Sequence, residues 1–276
     1  MKILLVRLRL IGDVVFTTPL VRALRRKYPD AHLTYVVEPL AAPVVRNNPH
    51  LDDVLVVPRR SGLARWRDDL SYARRLRARR FDMAIDLHGG PRAAWLTWAS
   101  GATMRIGYRM AGRSWMYTHV VERADGLLPR HSVVNQWDLL APLGIEACEP
   151  ARDAVEMPGD SEAEVRIARI LRDTGVGPLH PLIVLHVSAG NPFRRWPPEA
   201  FAAVVIELAR RDPARRFVVT SGPSDAGAAR GIVDRARGSV GAAATAVSHG
   251  QFDVGELQAL ATRAALFRSA SVRKRP

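Results

Sequence analysis

Cysteine is almost absent from this 276-residue chain: Cys148 stands alone. One thiol cannot build an internal disulfide framework, and such scarcity suits a reducing compartment. Lysine is nearly missing as well, since only Lys2, Lys27 and Lys274 occur among the 41 basic residues and arginine supplies the rest. No apolar run is long enough to cross a bilayer as a helix. Arg7 and Arg9 interrupt the first hydrophobic stretch too early for a secretory signal. His, Cys, Asp and Glu nowhere fall at metal-ligand spacing, and neither a Gly-x-Gly-x-x-Gly run nor a P-loop is present. The sequence therefore predicts no metal and no resident cofactor.

What is present reads as a soluble globular protein, 47% hydrophobic and 25% charged, with room for two domains. A net charge of +14 favours anionic partners such as phosphates, nucleotides, nucleic acid or an acidic lipid surface. Arginine replacing lysine on solvated faces is the alternative. Runs such as Arg22, Arg25, Arg26 and Arg74, Arg75, Arg77 lack interleaved aromatics that could stack on bases, so no nucleic-acid partner is expected.

The first half alternates strand and helix patterns. Strands are predicted at Lys2–Leu8, His32–Val37, Val54–Val57, Phe81–Leu87 and Arg105–Gly107. Helices are predicted at Val14–Tyr28, around Leu40–Asn47, at Leu63–Arg79, Arg92–Ser100 and Ser132–Leu143, the last stopped by Gly144. Such alternation implies a mostly parallel sheet covered on both faces. Residues Ile145–Asp160, polar and proline-punctuated, read as a linker. A second series follows: helix Ser161–Thr174, strand Leu182–His186, helix Pro198–Arg211, strand Arg216–Thr220, helix Asp225–Arg237, a weak strand near Ala243–Val247 and helix Gly255–Ala265. The expected architecture is α/β, with two Rossmann-like domains at 1–150 and 160–267 facing a cleft.

Several residues stand out by position. Asp13 lies in a short Gly12-Asp13 turn between the first strand and the first helix, where open α/β sheets bind ligands. It is either a helix cap or a reacting carboxylate. His88, Gly89 and Gly90 end a strand at the same edge, as a pocket wall or a plain turn. In the second half, Ser188, Ala189, Gly190, Arg194 and Arg195 occupy a strand-to-helix loop whose N–H groups and guanidinium groups suit phosphate oxygens. Arginines closing a helix start over solvent are the alternative. Ser221 and Gly222 follow the next strand, either as an ordinary turn or as one that faces the same ligand.

The opening LLVRLRLIGDVVFTTPLVRALRRKYPDAHLTYVVEP, then FDMAIDLHGGPRAAWL, MRIGY and VLHVSAGNPFRRWPPEAFAAV resemble the ADP-heptose:lipopolysaccharide heptosyltransferases of glycosyltransferase family 9 over roughly residues 1–267. The resemblance implies a GT-B fold and an inverting, metal-independent transfer from ADP-heptose to a lipid-linked core oligosaccharide. Asp13 becomes the general base. Gly12, Thr17, His88, Gly89 and Gly90 line the acceptor side, and Ser188, Ala189, Gly190, Arg194, Arg195, Ser221 and Gly222 the donor side. The family often has lysine where Arg194 stands. A cytoplasmic protein with peripheral contact at the inner membrane face is implied, the basic surface suiting an anionic leaflet.

The end departs from the pattern. After Ala265-Leu266-Phe267 the family continues into a Gly-Asp-Ser-Gly-Pro-x-His loop that grips the donor, whereas this chain reads RSASVRKRP. The expectation is a truncated second domain, an aberrant basic tail at 268–276 and impaired transfer. The competing reading is a non-catalytic remnant, or a module that binds the acceptor glycolipid.

Overall fold

The computed structural model describes residues 1–123, 130–145, 147–149, 151–189, 195–240 and 247–269. It divides into two compact units, Met1–Pro158 and Gly159–Pro276.

The first unit opens with β1 (Lys2–Val6), whose last four residues are buried. Then come α1 (Ile11–Val15), α2 (Thr18–Lys27), β2 (His32–Val37), α3 (Ala42–Val45), β3 (Asp53–Val56), α4 (Gly62–Ala78), β4 (Met83–Asp86), α5 (Pro91–Ala99), β5 (Met104–Tyr108), β6 (His119–Val121) and α6 (Ser132–Trp137). A 3₁₀ turn prolongs α6 to Leu143, and Gly144 stops it in the left-handed region at φ 64°. The strands pair in parallel in the order β3-β2-β1-β4-β5-β6. Strands buried on both faces need near-continuous apolar runs, which KILLV and HLTYVV supply. On one face Leu4, Val6, Val36 and Ala84 pack against Leu76 of α4 and Ala93 and Leu96 of α5. The strand order reverses between β1 and β4, and ligands of open α/β sheets bind outside the carboxyl ends of the strands at such a reversal.

Three local expectations change. The single helix expected over Val14–Tyr28 is two, parted at Phe16-Thr17. Thr17 and Thr18 turn their hydroxyls onto the carbonyls of Val14 and Val15, at 2.7 and 2.8 Å, and Pro19, lacking an N–H, sits in the first turn of a new helix. The stretch expected as a linker from 145 belongs to the first unit as far as Pro158. Arg22 reaches Glu156 at 2.6 Å and the carbonyls of Arg152 and Ala154, while Arg26 holds Asp153, which is 2% exposed. Strand β6 was not expected at all. Beside it, Tyr117 packs over Gly107: a Cβ there would stand 2.4 Å from the Tyr117 ring.

The second unit runs α7 (Ser161–Asp173), β7 (Leu182–His186), α8 (Pro198–Arg211), β8 (Arg216–Thr220), α9 (Ala226–Val240), β9 (Val247–Gly250), α10 (Val254–Arg263) and β10 (Leu266–Ser269). Asp160 caps α7 by accepting from the N–H groups of Glu162 and Ala163, and Asp253 with Glu256 forms a capping box on α10. All pairings are parallel, in the order β10-β7-β8-β9. Counted from β7, this is the order of the first four strands of the first unit. Phe201, Val205, Phe217 and Ile232 form the centre of its core. Strand β10 continues to Ser269, opposite His186, so positions 268 and 269, expected in the tail, belong to it; positions 270–276 lie outside the described residues.

Candidate active site

Asp13 does not cap a helix. Helix α1 already begins at Ile11, its N-cap Leu10 offers no side-chain bond, and Asp13 sits in the first turn. Its carboxylate instead forms an ion pair with Arg7, which follows the end of β1. The Arg7 guanidinium also donates to the carbonyl of Leu87, just past β4. One arginine thus ties the ends of the two central strands to the carboxylate between them. Its side chain is 12% exposed, that of Asp13 32%, so the acid is held from the protein side and open on the other. From α6, the Gln136 amide donates to the Asp13 backbone carbonyl at 3.4 Å.

Asp86, the last residue of β4, is fully buried. One oxygen accepts the N–H groups of His88 and Gly89, both at 2.8 Å, and the other accepts the Tyr117 hydroxyl at 2.6 Å. Burial pushes the Asp86 carboxyl above the ordinary carboxylate range. Gly89 turns the chain at φ 72°, and the His88 ring lies so close over Gly90 that a Cβ there would stand 2.5 Å from it. A buried carboxylate and two glycines therefore fix where the imidazole sits.

Burial, then the charges of Arg7 and Arg9, lowers His88 from 6.5 to about 4. The folded chain thus resists a proton that the unfolded chain accepts. Stability is expected to fall as pH drops from about 6.5 towards 4, and His88→Gln should reduce that loss. Urea unfolding of both proteins at several pH values across this range measures it; parallel pH profiles would show that His88 does not titrate this way.

Three pockets open along this edge. One of about 240 Å³ is lined by Arg7, Asp13, Tyr108, Arg123, Asn135 and Gln136 among others. The second, of about 460 Å³, shares Asp13 and adds Arg9, Glu38, Arg59 and His88. The third, of about 680 Å³, shares Arg9, Glu38, Arg59 and His88 with the second and extends to Trp66, Arg92, Trp95 and Arg113. Asp13 forms the wall between the first two. Four buried polar atoms on the lining residues have no hydrogen-bond partner among the described residues: Arg7 Nε, His88 Nδ1, Arg113 Nε and Gln136 Oε1. Buried polar atoms are nearly always satisfied in a folded chain, so their gathering here suits a polar ligand.

The same edge of the second sheet carries the other candidates. Ser188 Oγ accepts the Gly222 N–H at 2.8 Å, and Arg195 donates to the Ala189 carbonyl and to Asp225, each at 3.0 Å. Ser221 meets His249 at 3.2 Å, and His186 meets Thr220 at 2.8 Å. A hydrogen bond from Ser188 is the main cause holding Asp225 below the usual carboxylate range, while burial lowers both histidines.

Ser188, Ala189, Arg195, Ser221 and Gly222 are thus neighbours, and Gly190 and Arg194 lie outside the described residues. In the first unit Asp13, Gly12, His88, Gly89 and Gly90 share one edge; a Cβ at Gly12 would meet nothing within 4 Å among the described residues. Thr17 is the exception. It is fully buried, with its hydroxyl shared between Val14 and Tyr35, so the acceptor role expected of it is withdrawn. Arg7, Asp86, Tyr117, Gln136, Asp225 and His249 were not anticipated. A charged residue closing an apolar strand marked Arg7 and Asp86; no local signal marked the rest. Among the described residues no three His, Cys, Asp or Glu side chains gather in a group that could hold a metal.

Residues 70–269 match the family model described as glycosyltransferase family 9 (heptosyltransferase). The chain belongs to glycosyltransferase family 9. It is 26% identical over 223 residues to lipopolysaccharide heptosyltransferase 3 of Escherichia coli, covering 78% of this chain and 62% of that protein. The K12 counterpart is 27% identical over 222 residues, covering 77% and 61%. The match therefore spans about three-fifths of the length of these curated relatives. Among solved structures, the family 9 glycosyl transferase of Veillonella parvula superposes with a TM-score of 0.86 at 24% identity, covering 97% of this chain and 74% of that one. The ADP-heptose LPS heptosyltransferase II of E. coli gives 0.75 at 17%, covering 98% and 78%. The two Rossmann-like units of this family 9 chain thus have the α/β GT-B fold.

Proposed function

We propose that this family 9 chain transfers heptose, or a related sugar, from ADP-heptose to a lipopolysaccharide core acceptor. The acceptor hydroxyl, bound at the carboxyl edge of the first sheet, gives its proton to Asp13. Its oxygen attacks the anomeric carbon as ADP leaves from the opposite face, so configuration inverts. Gly12, His88, Gly89 and Gly90 are assigned to the acceptor, and Ser188, Ala189, Gly190, Arg194, Arg195, Ser221 and Gly222 to the donor. Arginine and backbone N–H groups take the charge of the departing diphosphate without a metal.

One observation carries this reading: a half-open carboxylate, clamped by Arg7 at the strand-order reversal, beside two pockets whose lining holds buried polar atoms without a partner among the described residues. A general base needs that access to a hydroxyl held within hydrogen-bond reach. Family membership and the names of the relatives support the sugar and the acceptor. A lipid-linked acceptor would place the reaction at the inner face of the cytoplasmic membrane. Chromatographic detection of ADP tests the proposal: release is expected only when ADP-heptose and a core oligosaccharide acceptor are both present. No acceptor-dependent ADP over a prolonged incubation would overturn it.

A further inference from the structure

Helix α4 leaves its first two turns uncovered. Its buried side starts only at Asp69 and continues through Ala73 and Leu76, while every residue from Gly62 to Arg67 is exposed. Three of the exposed residues are large and apolar: Leu63, Trp66 and Leu70, at 83%, 60% and 47%. At 3.6 residues per turn they fall within a sector about 60° wide, and Arg67, Arg74 and Arg77 lie within about 40° of Leu63 on the same count. The helix therefore presents one apolar stripe flanked and prolonged by cations.

The charge around it is lopsided. From Arg59 to Arg80 there are nine arginines against two aspartates, half of the net charge of the whole chain. Both aspartates are already engaged, Asp68 by Arg60 at 3.4 Å and Asp69 by Arg92 at 2.6 Å. Arg65 lies 5.6 Å from the Trp66 ring centroid.

We infer that this face of α4 docks on an acidic lipid surface. Tryptophan and leucine enter the boundary between headgroups and acyl chains, while arginine stems bury beside them and keep their guanidinium groups at the phosphates. Three side chains are far too few for a specific protein interface, which buries on the order of 800 Å² per partner, whereas a bilayer needs no matching shape. Nucleic-acid phosphates would use the arginines but gain nothing from exposed leucines. Position adds a consequence. Trp66, Arg59, Arg60 and Arg65 also line the 680 Å³ pocket with His88 and Gly90, so the docked face borders a pocket that a lipid-borne molecule could enter. Docking requires no sugar nucleotide, so its test stands or falls apart from that of transfer.

The test is flotation of the full chain with vesicles of phosphatidylcholine, alone or mixed equally with phosphatidylglycerol. Binding is expected to the mixed vesicles and not to phosphatidylcholine alone. The L63S/W66S/L70S variant should lose about tenfold in partitioning with an unchanged thermal midpoint, because the replaced side chains are exposed. The R67Q/R74Q/R77Q variant should bind less and respond less steeply to salt. Mixed vesicles should shift the tryptophan emission to the blue in wild type but less in Trp66→Phe. Equal flotation of wild type and L63S/W66S/L70S would overturn the proposal, since binding would then be charge alone. So would capture on duplex DNA that the same serine variant weakens, which would make the stripe a nucleic-acid surface.

Discussion

Asp13→Asn lowers acceptor-dependent ADP release by a factor of about 10² to 10⁴, the usual scale for losing a positioned general base. The amide has nearly the volume of the carboxylate and keeps one oxygen for Arg7, so α1 and the strand ends should stay in place. What disappears is the capacity to accept a proton. The loss should fall on kcat and leave KM for either substrate nearly unchanged, because an interaction made only in the transition state is removed. Steady-state kinetics on both proteins, with the urea midpoint as a check on folding, separate chemistry from stability. An Asp13→Asn protein that turns over at a near wild-type rate would assign the base to another group.

Asp86→Ala costs the first unit about 3–5 kcal/mol, because three buried donors lose their acceptor together. They are the Tyr117 hydroxyl and the N–H groups of His88 and Gly89. Tyr117 cannot turn away to water, since its ring lies on Gly107. Asp86→Asn is the informative companion. Burial already disfavours the ionised carboxylate, so a neutral group of the same shape keeps one oxygen for the two N–H groups and can donate from its amide to the Tyr117 oxygen. A cost near 1 kcal/mol is expected. Urea unfolding monitored by circular dichroism measures both. Equal losses in the two variants would mean that the charge, and not the set of hydrogen bonds, holds this loop.

Legibility in the sequence followed the range of the forces involved. Strands β7 and β8 and helix α8 were expected at their observed bounds, because apolar runs and the Pro197-Pro198 start are local signals. The break between α1 and α2 was missed because threonine side chains compete there for helix carbonyls, a choice that periodicity does not record. Strand β6 is only three residues long, too short to show a period. At the site, Asp13 was legible from its place after the first strand. Its clamp was not, because Arg7 lies one strand-end and one turn away. The Asp86–Tyr117 pair spans 31 positions and is visible only once β4 and β5 lie side by side. Thr17 misled for the opposite reason: it neighbours Asp13 in sequence but points into the core against Tyr35.

The hold that Arg22 and Arg26 keep on residues 151–158 bears on how such chains can be recombined. A cut at 150 would strip α2 of the Glu156 and Asp153 carboxylates, two carbonyl acceptors and the Glu156 N–H that bonds the Thr18 hydroxyl. A cut between Pro158 and Gly159 keeps those five bonds within one piece. As an exchangeable module, the first unit ends two residues past its last claimed carboxylate, Glu156, and eight residues beyond the boundary expected at 150.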